Sequence, residues 1–211
     1  MTKLLKLSLS VFIILVSTTQ FSVAENTGLP QLKNFLKKSL QFKAAFSQSL
    51  FDESGAELQF SAGIFSLHKP GRFVWDYEEP YHQVIMSNGK KIWMYDSELE
   101  QVTIKPVDRS LSKTSMVLLF NKTDIEKDFN ILKLDIVNGI SWLELTSKSS
   151  DSEFNNIQIG LKDNLIRSLK MIDGFGQTTV IKFRDITTSP NFKKQHFEFS
   201  IPKNADVIGG E

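Results

Sequence analysis

Short runs of alternating apolar and polar residues, separated by turn signals, constrain the fold of this 211-residue chain more than any other feature. Asn88-Gly89 lies between two such runs and is typical of a two-residue hairpin turn. Asn138-Gly139, Asp163-Asn164 and Asp173-Gly174 repeat the pattern further along the chain. About ten strands at this spacing, without intervening helices, predict a mainly β fold built as an antiparallel meander.

The same alternation predicts where the strands lie and which of their side chains share a face of the sheet. A first strand should begin near Phe42, and Gly63 is a candidate β-bulge that would bend the sheet. Pro70-Gly71 predicts a turn into a strand that carries Phe73, Trp75 and Tyr77 on one face. The last strand is predicted at the C-terminal end, where three apolar residues alternate before a proline: Phe197, Phe199 and Ile201.

Two segments depart from the strand pattern. After Pro30, the residues Leu32, Phe35, Leu36 and Leu40 are spaced as on one face of an amphipathic helix. Residues 112–120 lack alternation and end in five successive apolar residues. Such a segment must be buried on both sides or cover another apolar surface. The helix and this segment are the candidates to cover a curved apolar sheet, and two such short elements would leave a lidded apolar cavity.

The N-terminal residues have the organisation of a secretory signal peptide. Lys3 and Lys6 precede a short apolar run, and Ser22-Val23-Ala24 provides small residues at the expected cleavage site. The run is too short to span a membrane, so cleavage after Ala24 and one mature domain over residues 25–211 are expected. Loss of two of the 25 basic residues and none of the 24 acidic ones gives a net charge of −1. We therefore expect no nucleic-acid binding.

No set of residues suggests catalysis, a metal or another cofactor. The chain has no cysteine, and its three histidines, His68, His82 and His196, are far apart in the sequence without ligand spacing. Ser110 and Lys113 match one serine-enzyme motif only by spacing, without its partner motifs. The abundant feature is apolar, since 17 Phe and 3 Trp fall largely on alternating positions. These observations favour a protein that binds apolar cargo over an enzyme.

Several of these segments resemble motifs of the LolA family of periplasmic lipoprotein carriers. The run from His68 to Tyr77 resembles the family's strand with Pro-Gly before Phe-x-Trp, and the run from Ser87 to Asp96 is similar to its Gly-Lys hairpin. Glu100-Gln101-Val102 follows at the family's spacing. The first helix and strand fit as well, through Leu32-Lys33-x-x-Leu36 and Phe42-x-x-x-Phe46-x-Gln48. The resemblance is densest over residues 29–120.

The resemblance implies an incomplete, half-open antiparallel β-barrel that a helical lid closes over an apolar cavity. The acyl-chain cavity would be lined by Leu36, Phe42, Phe46, Phe73, Trp75, Ile85 and Trp93. Met116, Leu119 and Phe120 would belong to the lid. Lys69, where the family commonly has an arginine, or alternatively Arg72, would hold the lid closed.

The same resemblance implies a carrier without enzymatic activity that acts in the periplasm as a monomer. Its cargo would be triacylated outer-membrane lipoproteins. It would receive them from an inner-membrane lipoprotein-releasing ABC transporter and deliver them to an outer-membrane acceptor lipoprotein. The alternatives are a related lipid-binding regulator of envelope stress and a general periplasmic lipid-binding protein. The regulators carry a second domain, for which the mature length leaves no room.

Overall fold

The computed structural model describes residues 26–107, 125–148 and 154–210. The predicted signal peptide and the predicted lid residues Met116, Leu119 and Phe120 lie outside these ranges. Within them, no helix has the length and apolar character needed to cross a membrane.

Twelve strands and a few short helices make up the described chain. Helix α1 spans Gly28–Lys38 and a one-turn helix, α2, spans Ile125–Asp128. The first six strands are β1 (Gln41–Phe51), β2 (Glu57–His68), β3 (Arg72–Glu79), β4 (Gln83–Asn88), β5 (Lys91–Asp96) and β6 (Gln101–Pro106). They are followed by β7 (Phe129–Val137), β8 (Ile140–Ser147), β9 (Phe154–Lys162), β10 (Leu165–Asp173), β11 (Thr178–Thr187) and β12 (Asp206–Gly209). A 3-10 helix at Lys194–Phe197 precedes β12.

The strands form a single sheet in the order β12-β6-β5-β4-β3-β2-β1-β11-β10-β9-β8-β7. Strands β7 and β12 are its two edges, so the sheet does not close on itself and is consistent with the half-open architecture. Neighbouring strands pair antiparallel except β12, which pairs parallel to β6. The expectation of an entirely antiparallel meander is therefore wrong at this edge.

The predicted turns are confirmed. Asn88-Gly89 joins β4 to β5. Downstream, Asn138-Gly139 joins β7 to β8, Asp163-Asn164 joins β9 to β10, and Asp173-Gly174 joins β10 to β11. Gly89, Asn138 and Gly139 adopt positive φ angles of 90°, 53° and 73°, the backbone region that glycine and asparagine tolerate. The bulge is confirmed as well, because the pairing of β2 with β3 shifts register between Ala62 and Gly63.

Two predictions from the spacing of apolar residues are wrong: the C-terminal end of helix α1 and the strand at the C-terminal end of the chain. Helix α1 ends at Lys38, and Leu40 lies beyond it with 61% of its surface exposed. The C-terminal run is not a strand, because Phe197 ends the 3-10 helix at Lys194–Phe197, and Phe199 and Ile201 lie outside any helix or strand. Phe197 is buried against Val74 and Met86, on the face of the sheet opposite α1. The C-terminal segment therefore covers the outer face.

Candidate functional site

A continuous cluster of buried apolar side chains lies on the face of the sheet that α1 covers. Helix α1 packs against β8, β9 and β10, and its residues Leu32, Phe35 and Leu36 are buried in the cluster. Five of the predicted cavity residues belong to this cluster and are at most 6% exposed: Leu36, Phe42, Phe46, Phe73 and Trp75. The structure therefore brings these five side chains together.

Aromatic rings contact one another throughout this cluster, from Phe35 in α1 to Tyr77 near the end of β3. Phe35 of α1 meets Phe42 edge-on, with ring centroids 5.7 Å apart. Trp75 contacts Phe65 at 4.6 Å and Phe46 at 5.1 Å. Phe46 in turn meets the ring of Tyr77 at 5.1 Å. Offset and edge-on contacts at these distances are the favourable arrangements of aromatic pairs.

Gly63 makes the last of these contacts possible. In the sheet, Gly63 of β2 lies between Phe46 of β1 and Tyr77 of β3. A Cβ at this position would lie 1.9 Å from the carbonyl oxygen of Asp76, so only glycine fits. The missing side chain lets the two flanking rings meet across β2.

The remaining two predicted cavity residues, Ile85 and Trp93, lie on different faces of the sheet. Ile85 is half-buried beside the cluster and lies directly across from Trp75. Trp93 lies on the opposite face of β5 from Ile92, which is in the cluster. Its ring stacks on Phe199 at 6.0 Å with an interplanar angle of 16°. Its assignment to the same face as Trp75 is therefore wrong.

Lys69 connects the turn between β2 and β3 to α1. Its Nζ donates a hydrogen bond of 2.8 Å to the carbonyl oxygen of Leu36 and lies 5.5 Å from the centroid of the Phe35 ring. The carbonyls of the last helical turn carry partial negative charge and favour a cation. Burial lowers the pKa of Lys69 to about 8 from its usual 10.5, because desolvation disfavours the charged amine.

Arg72, the alternative latch, makes different contacts. Its guanidinium lies 2.8 and 3.2 Å from the two ring nitrogens of His68. It also lies over the ring of Phe197, 5.8 Å from the centroid. These contacts tie Arg72 to the C-terminal segment on the outer face, whereas Lys69 contacts the helix.

A small polar pocket adjoins the far end of the aromatic cluster. Its volume is about 150 Å³, and its lining includes Gln48, Gln59, Ser61, Tyr77, Gln83 and Ile85. The Tyr77 hydroxyl donates to Oε1 of Gln48 at 3.3 Å. Burial raises the pKa of Tyr77 to about 12, so its hydroxyl stays protonated at neutral pH.

Sequence reasoning did not single out this pocket, although a signal was present. Gln48 continues the alternation of Phe42 and Phe46 along β1, and Ser61 has the same parity as Phe65 on β2. Polar residues at positions that continue an apolar period should lie at one end of the same face.

One further polar group belongs to the aromatic cluster: Nε1 of Trp75 is buried and has no hydrogen-bond partner among the described residues.

The described residues contain no group of three or more histidine, aspartate or glutamate side chains placed to hold a metal ion. What the described site offers is an apolar face, a helix above it and a cation that joins the two. Apolar groups associate with an apolar face because their contact removes both from water, so this arrangement is chemically suited to apolar ligands.

Comparison with known proteins gives a consistent result. A family model described as outer membrane lipoprotein carrier protein LolA matches residues 37–200. A protein of Methylococcus capsulatus named outer-membrane lipoprotein carrier protein is 38% identical over 187 residues, covering 89% of this chain and 90% of that protein. A Nitrosospira multiformis protein of the same name is 34% identical over 198 residues, with 93% of each chain covered.

Among solved structures, an uncharacterised conserved protein of Thermus thermophilus superimposes with a TM-score of 0.55 at 14% identity. The alignment covers 85% of this chain and 95% of that one. At this identity the similarity shows a shared fold.

Proposed function

The chain belongs to the LolA family of outer membrane lipoprotein carrier proteins, and we propose that it carries lipoproteins by sheltering their acyl chains between α1 and the sheet. The observation that supports this most directly is the continuous series of aromatic contacts from Phe42 to Tyr77, on the face of the sheet that carries α1. A face of this kind offers apolar contact along a length of chain and has no group suited to bond cleavage. The carrier catalyses no reaction.

The energetics of acyl chains require such shelter. Burying a chain of about fifteen methylenes contributes roughly 12 kcal/mol, at ~0.8 kcal/mol for each methylene. A lipoprotein with three such chains cannot cross an aqueous compartment unshielded. Phe46, Phe73 and Trp75 are almost completely buried, so acyl chains can reach them only if the elements that cover them move.

This opening requirement explains how cargo can be released again. The free energy of opening is subtracted from the free energy of binding, so a carrier that is stable when closed holds its cargo less tightly. Lys69 stabilises the closed form through the carbonyl of Leu36. We assign it as the latch, with the segment that contains Met116, Leu119 and Phe120 as a second part of the lid.

The carrier acts in the periplasm, to which the signal peptide at residues 1–24 directs it. It receives triacylated lipoproteins from an inner-membrane ABC transporter and passes them to an outer-membrane acceptor lipoprotein. One monomer carries one lipoprotein, because the larger of the two apolar clusters among the described residues lies on the face that carries α1.

The test is release of a labelled lipoprotein from spheroplasts by the purified mature protein. The expected product is a soluble one-to-one complex with chemically unchanged cargo. Phe73→Asp should abolish release, because an unpaired carboxylate would lie against the acyl chains. Leu58→Asp, at a position that is 54% exposed, is the matched control and should release normally. Lipoprotein that stays in the membrane with the wild-type protein would refute the carrier function.

A further inference from the structure

The polar pocket lies where the aromatic face ends, which gives it a definite relation to an acyl chain on that face. Tyr77 and Ile85 line the pocket and also pack against the aromatic cluster. Every acyl chain ends in a carbonyl, through which an ester or amide bond joins it to the rest of the molecule. A chain that lies along Phe42 and Phe46 with its carbonyl at this end reaches the pocket with that group.

We propose that Tyr77, Gln48 and the indole N–H of Trp75 form a subsite for the ester and amide carbonyls that attach the acyl chains to the lipoprotein. This inference rests on the proposed carrier function and specifies which polar groups of the cargo are recognised. It adds hydrogen bonding to a site that otherwise offers only apolar contact.

The three side chains have the donors that such a role needs. Tyr77 and Gln48 line the pocket, whereas Trp75 lies next to it and stacks on the ring of Tyr77, with centroids 6.3 Å apart. The Nε1 of Trp75 is buried and unpartnered among the described residues, although buried donors are almost always paired. The hydroxyl of Tyr77 makes a long bond of 3.3 Å to Oε1 of Gln48 and can turn to a better acceptor. The Nε2 of Gln48 carries two further N–H donors. Carbonyl oxygens are acceptors only, so they complement this set.

The charge and size of the pocket favour a neutral carbonyl over a phosphate. The described residues that line the pocket include one carboxylate, Glu79, and no lysine or arginine. A phosphate group would be repelled by Glu79 and would lack a cation. The volume of about 150 Å³ is that of about five water molecules, enough for an ester or amide group but not for a chain.

The experiment compares two synthetic triacylated lipopeptides that carry a fluorophore at the peptide C-terminus. In one, two chains are linked by esters; in the other, the same chains are linked by ethers and lack those carbonyls. The wild-type protein should bind the ester form more tightly by between about five- and tenfold, as expected for one or two hydrogen bonds. Tyr77→Phe, which removes only a hydroxyl, should reduce this preference by about threefold or more.

Tyr95→Phe is the matched control, because Tyr95 contacts Phe199 on the outer face; it should keep the full preference. Replacing Trp75 by benzothienylalanine removes the N–H with almost no change of shape and should also reduce the preference. Equal wild-type binding of the two lipopeptides, or an equal loss of both in Tyr77→Phe, would refute the subsite and leave the carrier function standing. Failure of the wild-type protein to bind either lipopeptide would refute both proposals.

Discussion

The ammonium of Lys69 donates a hydrogen bond of 2.8 Å to the carbonyl oxygen of Leu36, which joins the turn between β2 and β3 to the end of α1. The backbone N–H of Lys69 also donates to the carbonyl of Leu40, at 2.8 Å. The backbone contact persists whatever the side chain, whereas the ammonium contact depends on it. Substitution of Lys69 can therefore weaken the hold on α1 without detaching the chain that follows it.

Lys69→Leu should uncouple the acceptance of cargo from its delivery. Loss of a partly exposed charge-assisted hydrogen bond should cost the closed form about 1 kcal/mol and raise the open population roughly fivefold. Release of lipoprotein from spheroplasts should then be at least as efficient as with wild type, while transfer to outer membranes should fall. Both steps are measured with the same labelled lipoprotein.

Three variants control this experiment. Lys69→Arg keeps the cation and should preserve both steps, and Lys90→Leu removes an exposed cation from the neighbouring turn and should change neither. Arg72→Leu should transfer normally, because Arg72 contacts His68 and Phe197 rather than α1. A transfer defect in Arg72→Leu, together with normal transfer in Lys69→Leu, would reassign the latch to Arg72.

The lowered pKa of Lys69 predicts a pH dependence of stability. Between its folded pKa of about 8 and its usual 10.5, the folded chain binds fewer protons at this site than the unfolded chain. The free energy of unfolding must therefore rise as the pH increases through this window. Lys69→Arg stays charged throughout and provides the reference.

From about pH 7 to about pH 9.5, the wild type should gain up to about 1 kcal/mol over Lys69→Arg, a value reduced for the partial exposure of this lysine. Urea denaturation of both proteins across this range measures the difference. A difference that stays constant, or that falls as the pH rises, would show that the amine is not desolvated in the folded chain.

Local signals predict the turns better than they predict which face of the sheet a side chain occupies. Asn88-Gly89 and Asn138-Gly139 determine their turns within a few residues, because the required positive φ angles are properties of those residues. Alternation does not predict the face of Trp93, because Ile92, Trp93, Met94 and Tyr95 are all apolar or aromatic. Its position depends on Phe199, which packs on it from the distant C-terminal segment.

The parallel edge strand and the polar pocket also depend on distant contacts. Strand β12 spans only Asp206–Gly209 and has no alternation to recognise, and its pairing with β6 follows from the path of the C-terminal segment. The pocket combines side chains of β1, β2, β3 and β4, and their proximity depends on strand register. Register is a property of the sheet as a whole, which a single sequence shows only in part.

Gly63→Ala should destabilise the protein, because its Cβ would lie 1.9 Å from the carbonyl oxygen of Asp76 in the neighbouring strand. The expected loss is about 1–3 kcal/mol, the usual cost of forcing extra volume into a packed region. Gly174→Ala, in a turn where a Cβ meets nothing within 4 Å, should stay within about 0.5 kcal/mol of wild type. The midpoints of urea denaturation compare the two, and equal midpoints would rule out the close approach at Gly63.

Bound acyl chains should contact Trp75 but not Trp93, since the two rings lie on opposite faces of the sheet. The chain has three tryptophans, so Trp93→Phe with Trp142→Phe leaves Trp75 alone, and Trp75→Phe with Trp142→Phe leaves Trp93 alone. Bromine quenches indole fluorescence only at short range. A lipopeptide with brominated chains should therefore quench most of the emission of Trp75 and little of that of Trp93, measured in complexes purified by gel filtration. Stronger quenching of Trp93 than of Trp75 would place the acyl chains on the outer face, beside Phe199, and would overturn the site assigned on the face that carries α1.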